Sequence, residues 1–149
     1  MINIDEIDFK ILDVLKESSH LSTHKISKKI GIPVTTVYHH IKKLEEQKII
    51  KNYTINLDYK KIGKSLLAYV LVFYDISTLG SKISREELGR KLCNIEGVEH
   101  VSYTTGRFDI VLTVRLRDIK GLTEIILDRL RKIPGVGRSE SFLVLEEIK

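Results

Sequence analysis

Apolar positions recur at intervals of three and four along the first fifty residues, and afterwards at intervals of two or in solid runs. Ile4, Ile7, Ile11, Leu12 and Leu15 make one helical stripe that begins after Asn3 or at Asp5, either of which can cap it. Ser22 is a good N-cap for a second, short helix with Ile26 and Ile30 on one face. Gly31 then supplies the residue that leaves a helix through the left-handed region. Pro33 suits the first turn of a third helix, where its missing N–H costs nothing, and Val34, Val37, Ile41 and Leu44 form that helix's apolar stripe. The face opposite carries Thr35, Thr36, Tyr38, His39, His40, Lys42 and Lys43, with no acid before Glu45. The pattern predicts a compact three-helix unit, its last two helices joined by a tight turn.

Beyond the third helix the period changes. Residues 51–58 alternate Tyr53, Ile55 and Leu57 with polar positions, a strand signal, and 51–65 read as strand, hinge and domain boundary. Residues 66–76 are a near-continuous apolar run fit for a buried strand, and 77–82 a loop. Ser84 followed by Glu87 is a capping box opening a helix with Leu88, Leu92 and Ile95 on its stripe, and Gly97 stops it. Two strands, 98–104 and 108–116, make a hairpin around 105–107. Asp118, or the residue after it, caps a helix with Leu122, Ile125, Ile126, Leu130 and Ile133 inside, which Pro134-Gly135 ends. A final strand over 136–148 is expected to bury Phe142 and Val144, with Leu143 and Leu145 as further candidates. The segments IEGVEHV and IPGVGRS echo one another, each passing from a helix through Ile-x-Gly-Val into a strand. The order strand–helix–strand, twice, predicts an α+β chain with a C-terminal ferredoxin-like βαββαβ domain. Its domains are a helix-turn-helix over 1–50, a strand and hinge over 51–65, and the ferredoxin-like domain over 66–149. Helices on one face of four strands leave the other face bare, and a second copy of the chain is its simplest cover.

Charge changes the picture at one place. Residues 18–52 carry a net +5 while residues 1–17 carry a net −3, so the +5 of the whole chain is focused on the helical hairpin. Focused positive charge is the footprint of a phosphate-binding surface. A helix-turn-helix whose second helix presents donors, an aromatic ring and cations is shaped for the major groove of DNA. On that reading Thr35, Thr36, Tyr38, His39 and His40 stand nearest the bases, and Lys28, Lys42, Lys43 and Lys51 nearest the phosphates. A hairpin with a merely solvated basic face, or one that contacts protein, carries the same charges.

Composition bounds the rest. The 149 residues, 42% hydrophobic and 30% charged, are globular in type and make one ordinary domain or two small ones. No apolar run approaches the ~20 residues of a membrane span, and the acidic start MINIDEIDFK is no secretory signal. One cysteine, Cys93, excludes an internal disulfide, and a cytoplasmic protein is expected. Catalytic chemistry is poorly represented. Cys93 has no histidine nearby in sequence, and His39 and His40 point ~100° apart on a helix and cannot share a metal. A helix start falls between His20 and His24 and spoils their alignment. There is neither a phosphate loop nor a pair of catalytic carboxylates, so no enzyme activity, metal or cofactor is expected.

Three segments in order carry a family likeness. IDEIDFKILDVL has two spaced aspartates before Ile-Leu-x-x-Leu, GIPVTTVYHHIKKLEEQKII covers turn, recognition helix and exit, and TGRFDIVLTV contains Thr-Gly-x-aromatic-Asp. With ferredoxin-like spacing between them, the chain resembles the Lrp/AsnC (feast/famine) transcription regulators over essentially its whole length. The resemblance implies a RAM-type effector domain and a homodimer presenting two recognition helices to a pseudo-palindromic site on double-stranded DNA. It also implies higher assemblies such as a tetramer of dimers, and a small effector, frequently an amino acid, bound where dimers meet. By motif, the candidate effector residues are Thr104, Thr105, Gly106, Arg107, Phe108 and Asp109, together with Ser139 and Ser141. Gly106 lets backbone approach a ligand, and Arg107 and Asp109 suit a carboxylate and an ammonium. The same loop also reads as a plain hairpin turn with Asp109 bonding its backbone. The chain departs from the family at Pro33, where Ser is usual, at His40, where Arg is usual, and at Lys48, where Gly is usual. The last departure implies a left-handed lysine at the helix exit.

Overall fold

In the computed structural model, which describes residues 4–75 and 83–148, the chain divides into two compact units, Met1–Leu57 and Asp58–Lys149. The boundary falls inside the stretch expected as a hinge. The loop expected over 77–82, Asn3 as a cap and the last residue of the 66–76 run lie outside the described residues.

The first unit holds α1 (Glu6–Glu17), α2 (Thr23–Ile30) and α3 (Val34–Glu46). Asp5 caps α1 reciprocally: its carboxylate accepts from the Asp8 amide and the Asp8 carboxylate from the Asp5 amide, both at 2.9 Å. Ser22 caps α2, and Gly31 leaves it at φ 71°. Pro33 stands just before α3, at the capping position, with no side-chain bond of its own. Ile11, Val14, Leu15, Ile26, Val37 and Leu44 form the core, with Ile7, Ile41, Ile49 and Ile50 packed against it. Lys48 does take the left-handed conformation, at φ 55°. That turn lets the amides of Ile49 and Ile50 reach the Leu44 carbonyl at 2.9 and 3.1 Å, bringing both isoleucines back to the core.

Residues 51–58 correct the sequence expectation, since they form no ladder among the described residues. An alternating strand is stable only against a partner strand, and the described residues of its unit hold none. Tyr53, Ile55 and Leu57 accordingly remain exposed, Ile55 by 76%. The segment is anchored from Ser19, whose hydroxyl donates to the Thr54 carbonyl at 3.0 Å, and by the Tyr53 hydroxyl donating to Glu45 at 2.7 Å. Partial desolvation of its hydroxyl, with the Glu45 carboxylate beside it, pushes the Tyr53 phenol up to about 12.

The second unit runs β1 (Leu66–Tyr74), α4 (Arg85–Cys93), β2 (Val98–Tyr103), β3 (Ile110–Leu116), α5 (Ile119–Glu124) and β4 (Val136–Leu143). After α5 the helix widens through a π-turn over Ile125–Arg129 and tightens through Leu130–Lys132, which keeps Leu122, Ile125 and Leu130 all buried. The sheet order is β2-β3-β1-β4, antiparallel throughout. This is the ferredoxin-like arrangement. Ala68, Val70 and Val72 of β1 and Ile110, Leu112 and Val114 of β3 face the helices, with Leu88 and Leu92 of α4 and Leu130 against them. Ser84 and Asp118 cap the two helices as the sequence indicates.

The last strand is a second correction. It ends at Leu143, and Phe142, Leu143 and Leu145 are exposed by 52, 44 and 99%. Phe142 lies opposite Tyr69, and residues directly opposite share a face. Its face is therefore the helix-free one, with Tyr69, Leu71 and Phe73.

Candidate functional site

The third helix owes its orientation to two anchors. Val37 and Leu44 are fully buried and fix which side faces the core. The second anchor is polar. His40 and Lys43, three residues apart and so on one face, reach across to α1. The His40 ring meets the Asp8 carboxylate at 2.7 Å through Nδ1, and the Lys43 ammonium donates to its other oxygen at 2.6 Å. Asp5 stands 3.8 Å from each. Asp8 itself is fully buried. Burial would push its carboxyl up, but the Lys43 ammonium, the Asp5 amide and His40 outweigh that and hold it down at about 2. The same contact raises Lys43.

His40 and Lys43 thus do not stand on the outward face with the other predicted residues. The physical reason is angular: at ~100° per residue they fall on the flank of α3, and a buried carboxylate on α1 claims them. Thr35, Tyr38, His39 and Lys42 are exposed, with Thr36 partly so. Tyr38 is ordered from both sides, its ring edge-on to His39 at 5.7 Å and under the Lys42 ammonium at 5.5 Å. Lys28 on α2 and Lys51 beyond α3 are exposed as well. Lys29 is paired with Glu17 at 2.6 Å, whereas Lys25, Lys28, Lys42, Lys48 and Lys51 make no ion pair among the described residues.

In the second unit the loop between β2 and β3 is stitched across its base. The Thr104 amide donates to the Asp109 carbonyl at 2.9 Å and its hydroxyl to the Phe108 carbonyl at 2.8 Å. Thr105 and Arg107 are exposed, and Gly106 has φ 112° with open space around it. The Asp109 carboxylate accepts from the Tyr74 amide of β1 at 2.9 Å, so it ties the loop to the neighbouring strand and not to its own turn. Arg107 meets Glu140 at 3.3 Å, and Arg138 meets the same carboxylate at 2.9 Å. The two guanidiniums lie over Phe108 and Phe73, whose rings are 4.8 Å apart.

Ser139 and Ser141 are not brought to that cluster. They pair with Val72 and Val70, whose side chains face the helices, so the two serines lie on the helix side of β4. Glu140 meets Arg107 and Phe73 meets Phe108, with Arg138 against both Glu140 and Phe73, and sequence reading did not single out these three. The alternation along β4 separates Ser139 and Ser141 from Arg138 and Glu140, but only the register says which set joins the loop.

Comparison with known proteins agrees with this anatomy. Residues 4–51 match a winged helix-turn-helix DNA-binding family, and residues 71–149 match the Lrp/AsnC ligand binding domain. The chain is 34% identical over 146 residues to an uncharacterised HTH-type transcriptional regulator of Pyrococcus horikoshii, covering 98% of this chain and 95% of that one. A counterpart from Pyrococcus furiosus is 35% identical with the same coverage. Among solved structures, a transcriptional regulator of Neisseria meningitidis in complex with L-Met superposes with a TM-score of 0.90, at 26% identity over 99% of this chain and 93% of that one. LrpC of Bacillus subtilis, at 22% identity and covering 99% and 98% of the two chains, shares the fold with a TM-score of 0.82.

Proposed function

The chain belongs to the Lrp/AsnC family of HTH-type transcription regulators, with a DNA-binding unit followed by a ligand-binding unit, and from that premise we propose how its own residues serve the two tasks. Thr35, Thr36, Tyr38 and His39 read bases in the major groove, while Lys28, Lys42 and Lys51 hold phosphates. His40 and Lys43 set the helix from behind. The observation that carries this is the outward face of α3, where a braced tyrosine and a lysine with no ion pair among the described residues stand beside short polar side chains. Phosphate contacts supply affinity and base contacts supply discrimination.

The working unit is a homodimer in the cytoplasm. Residues 51–58 pair with the same segment of a second copy, and the helix-free sheet face with Tyr69 and Phe142 is covered by it. A groove of about 880 Å³ in the first unit, lined by Leu12, Leu15, Ile49, Ile50, Tyr53 and Ile55, supports the same reading. Two recognition helices then meet half-sites about one helical turn, ~34 Å, apart.

For the second unit the effector is an amino acid or a related small molecule, bound beside the Thr104–Asp109 loop where copies meet. A solved relative at 26% identity holds L-Met, which favours this class. The bond from the Tyr74 amide to Asp109 favours a second reading, an effector-independent regulator in which the loop is only a turn.

Binding of the full chain to random and selected DNA across a salt series tests the DNA assignment. Lys42→Ala should weaken both and reduce the log–log salt slope by about 0.9. Thr36→Ala or His39→Ala should weaken the selected site more than random DNA. Equal losses on both would remove Thr36 and His39 from the base readers.

A further inference from the structure

Two arginines of the second unit share one carboxylate oxygen. Arg107, on the loop between β2 and β3, and Arg138, on β4, each donate through Nη2 to Oε1 of Glu140, at 3.3 and 2.9 Å. Arg115 of the same unit shows the alternative, with two of its nitrogens on the two oxygens of Glu147 at 2.8 and 3.1 Å. The two-pronged pairing is the stronger one between a guanidinium and a carboxylate. Arg107 thus makes one long bond from an exposed side chain, and the three groups carry a net positive charge.

Beside these charges lies apolar surface. Phe108 sits under the Arg107 guanidinium and Phe73 under that of Arg138, and both rings are only half-buried. At 4.8 Å between centroids they form one floor. A ligand side chain that covers such a floor removes apolar area from water on both partners. Asp109, two residues along the loop from Arg107, brings the set to neutrality. That balance suits a ligand whose own ammonium and carboxylate cancel.

We infer that Glu140 is a built-in stand-in for the carboxylate of an effector, and that the effector is an amino acid with a large apolar side chain. Glu140 holds Arg107 in the free chain. The ligand displaces it, setting its carboxylate on Arg107 and its side chain on Phe73 and Phe108. Arg138 lets this exchange proceed without stranding a charge, because it keeps Glu140 paired at 2.9 Å after Arg107 has left. Hydrogen bonds through Thr104 and Asp109 hold the loop itself, so Arg107, Arg138 and Glu140 can be changed without dissolving it. The inference rests on the reading of the second unit as an effector site given above.

The test is calorimetry of the full chain with L-leucine, L-phenylalanine, L-alanine, L-lysine and L-phenylalaninamide, on wild type, Glu140→Gln, Arg138→Gln, Arg107→Gln and Phe73→Ala. Wild type should bind the better of L-leucine and L-phenylalanine about tenfold more tightly than L-alanine, as covering a large apolar side chain requires. L-Lysine, whose side chain would meet two guanidiniums, and L-phenylalaninamide, which lacks the carboxylate, should give no heat. Glu140→Gln removes the competitor and should tighten binding of the better ligand about threefold, a modest gain because the displaced pair is exposed. Arg138→Gln leaves Glu140 to Arg107 alone and should weaken binding by a similar factor. Arg107→Gln should weaken it about tenfold, through loss of the charge-assisted pair. A cluster that only supports the fold would lose affinity in every variant, so the opposite sign at Glu140 separates the two. Phe73→Ala should narrow the preference over L-alanine. Affinity unchanged or lowered in Glu140→Gln, L-phenylalaninamide binding as well as L-phenylalanine, or L-alanine or L-lysine binding as well as L-leucine overturns the inference and leaves an effector site in place. No heat from any probe with either wild type or Glu140→Gln overturns the effector reading and the inference together.

Discussion

Asp8 concentrates the residue-scale physics of this protein. A buried carboxylate is tolerated because the Lys43 ammonium, the His40 ring and an amide surround it, and removing one member of such a set costs more than the set contributes as a whole. Its carboxyl is held at about 2, below the ordinary value of 3.8. A depressed carboxyl stabilises the fold fully above its unfolded value and loses that contribution as pH falls through the folded one. Chemical denaturation should therefore show wild type losing stability between about pH 4 and pH 2. Asp8→Asn should lose roughly 3 kcal/mol at pH 7 and show a shallower acid decline. An Asp8→Asn curve parallel to wild type would mean that the acid sensitivity lies elsewhere.

Among the elements, residues 51–58 are the proposed pairing segment, because they have the alternation of a strand and no partner strand among the described residues. Ile55 is the sharpest probe. At 76% exposure it contributes little to its own unit, so Ile55→Lys should change monomer stability by no more than about 0.5 kcal/mol. Placed at a pairing edge in the dimer, the same charge should disfavour association. Sedimentation at micromolar concentration should show wild type as a dimer and Ile55→Lys shifted toward single chains. A variant dimer as tight as wild type would move the contact entirely to the helix-free sheet face.

At the scale of the whole molecule, the proposed reading has effector and operator act on one equilibrium between assemblies. An effector shifts that equilibrium only by its difference in affinity for the two states, and the operator changes effector affinity by the same factor. Asp109→Asn separates the two readings of its loop. The asparagine oxygen can still accept from the Tyr74 amide, so the fold is kept while the charge that would meet an α-ammonium is lost. Calorimetry with each amino acid should give heat with wild type and none with the variant, with DNA affinity in the absence of effector unchanged. Equal heats, or no heat from any amino acid, would leave the loop as a turn.

Features made within a few residues were legible in the amino-acid order. Ser22, Ser84 and Asp118 cap helices because a short side chain reaches an amide three residues on. Gly31 turns left-handed at a helix end, and the change from helical to strand spacing marked the alternation of strands and helices from residue 66 onward. What tertiary structure alone decided were the partners. Asp5 and Asp8 look like ordinary first-turn acids until α3 is laid against them, and His40 and Lys43 sit on a flank that belongs to whichever neighbour arrives. On β4 a shift of one residue exchanges Ser139 and Ser141 for Arg138 and Glu140 beside the loop, so register chose the cluster. Residues 51–58 carry a strand's pattern that no strand among the described residues completes. In each case the deciding contact is with a group distant in the chain, whose position follows from packing the whole.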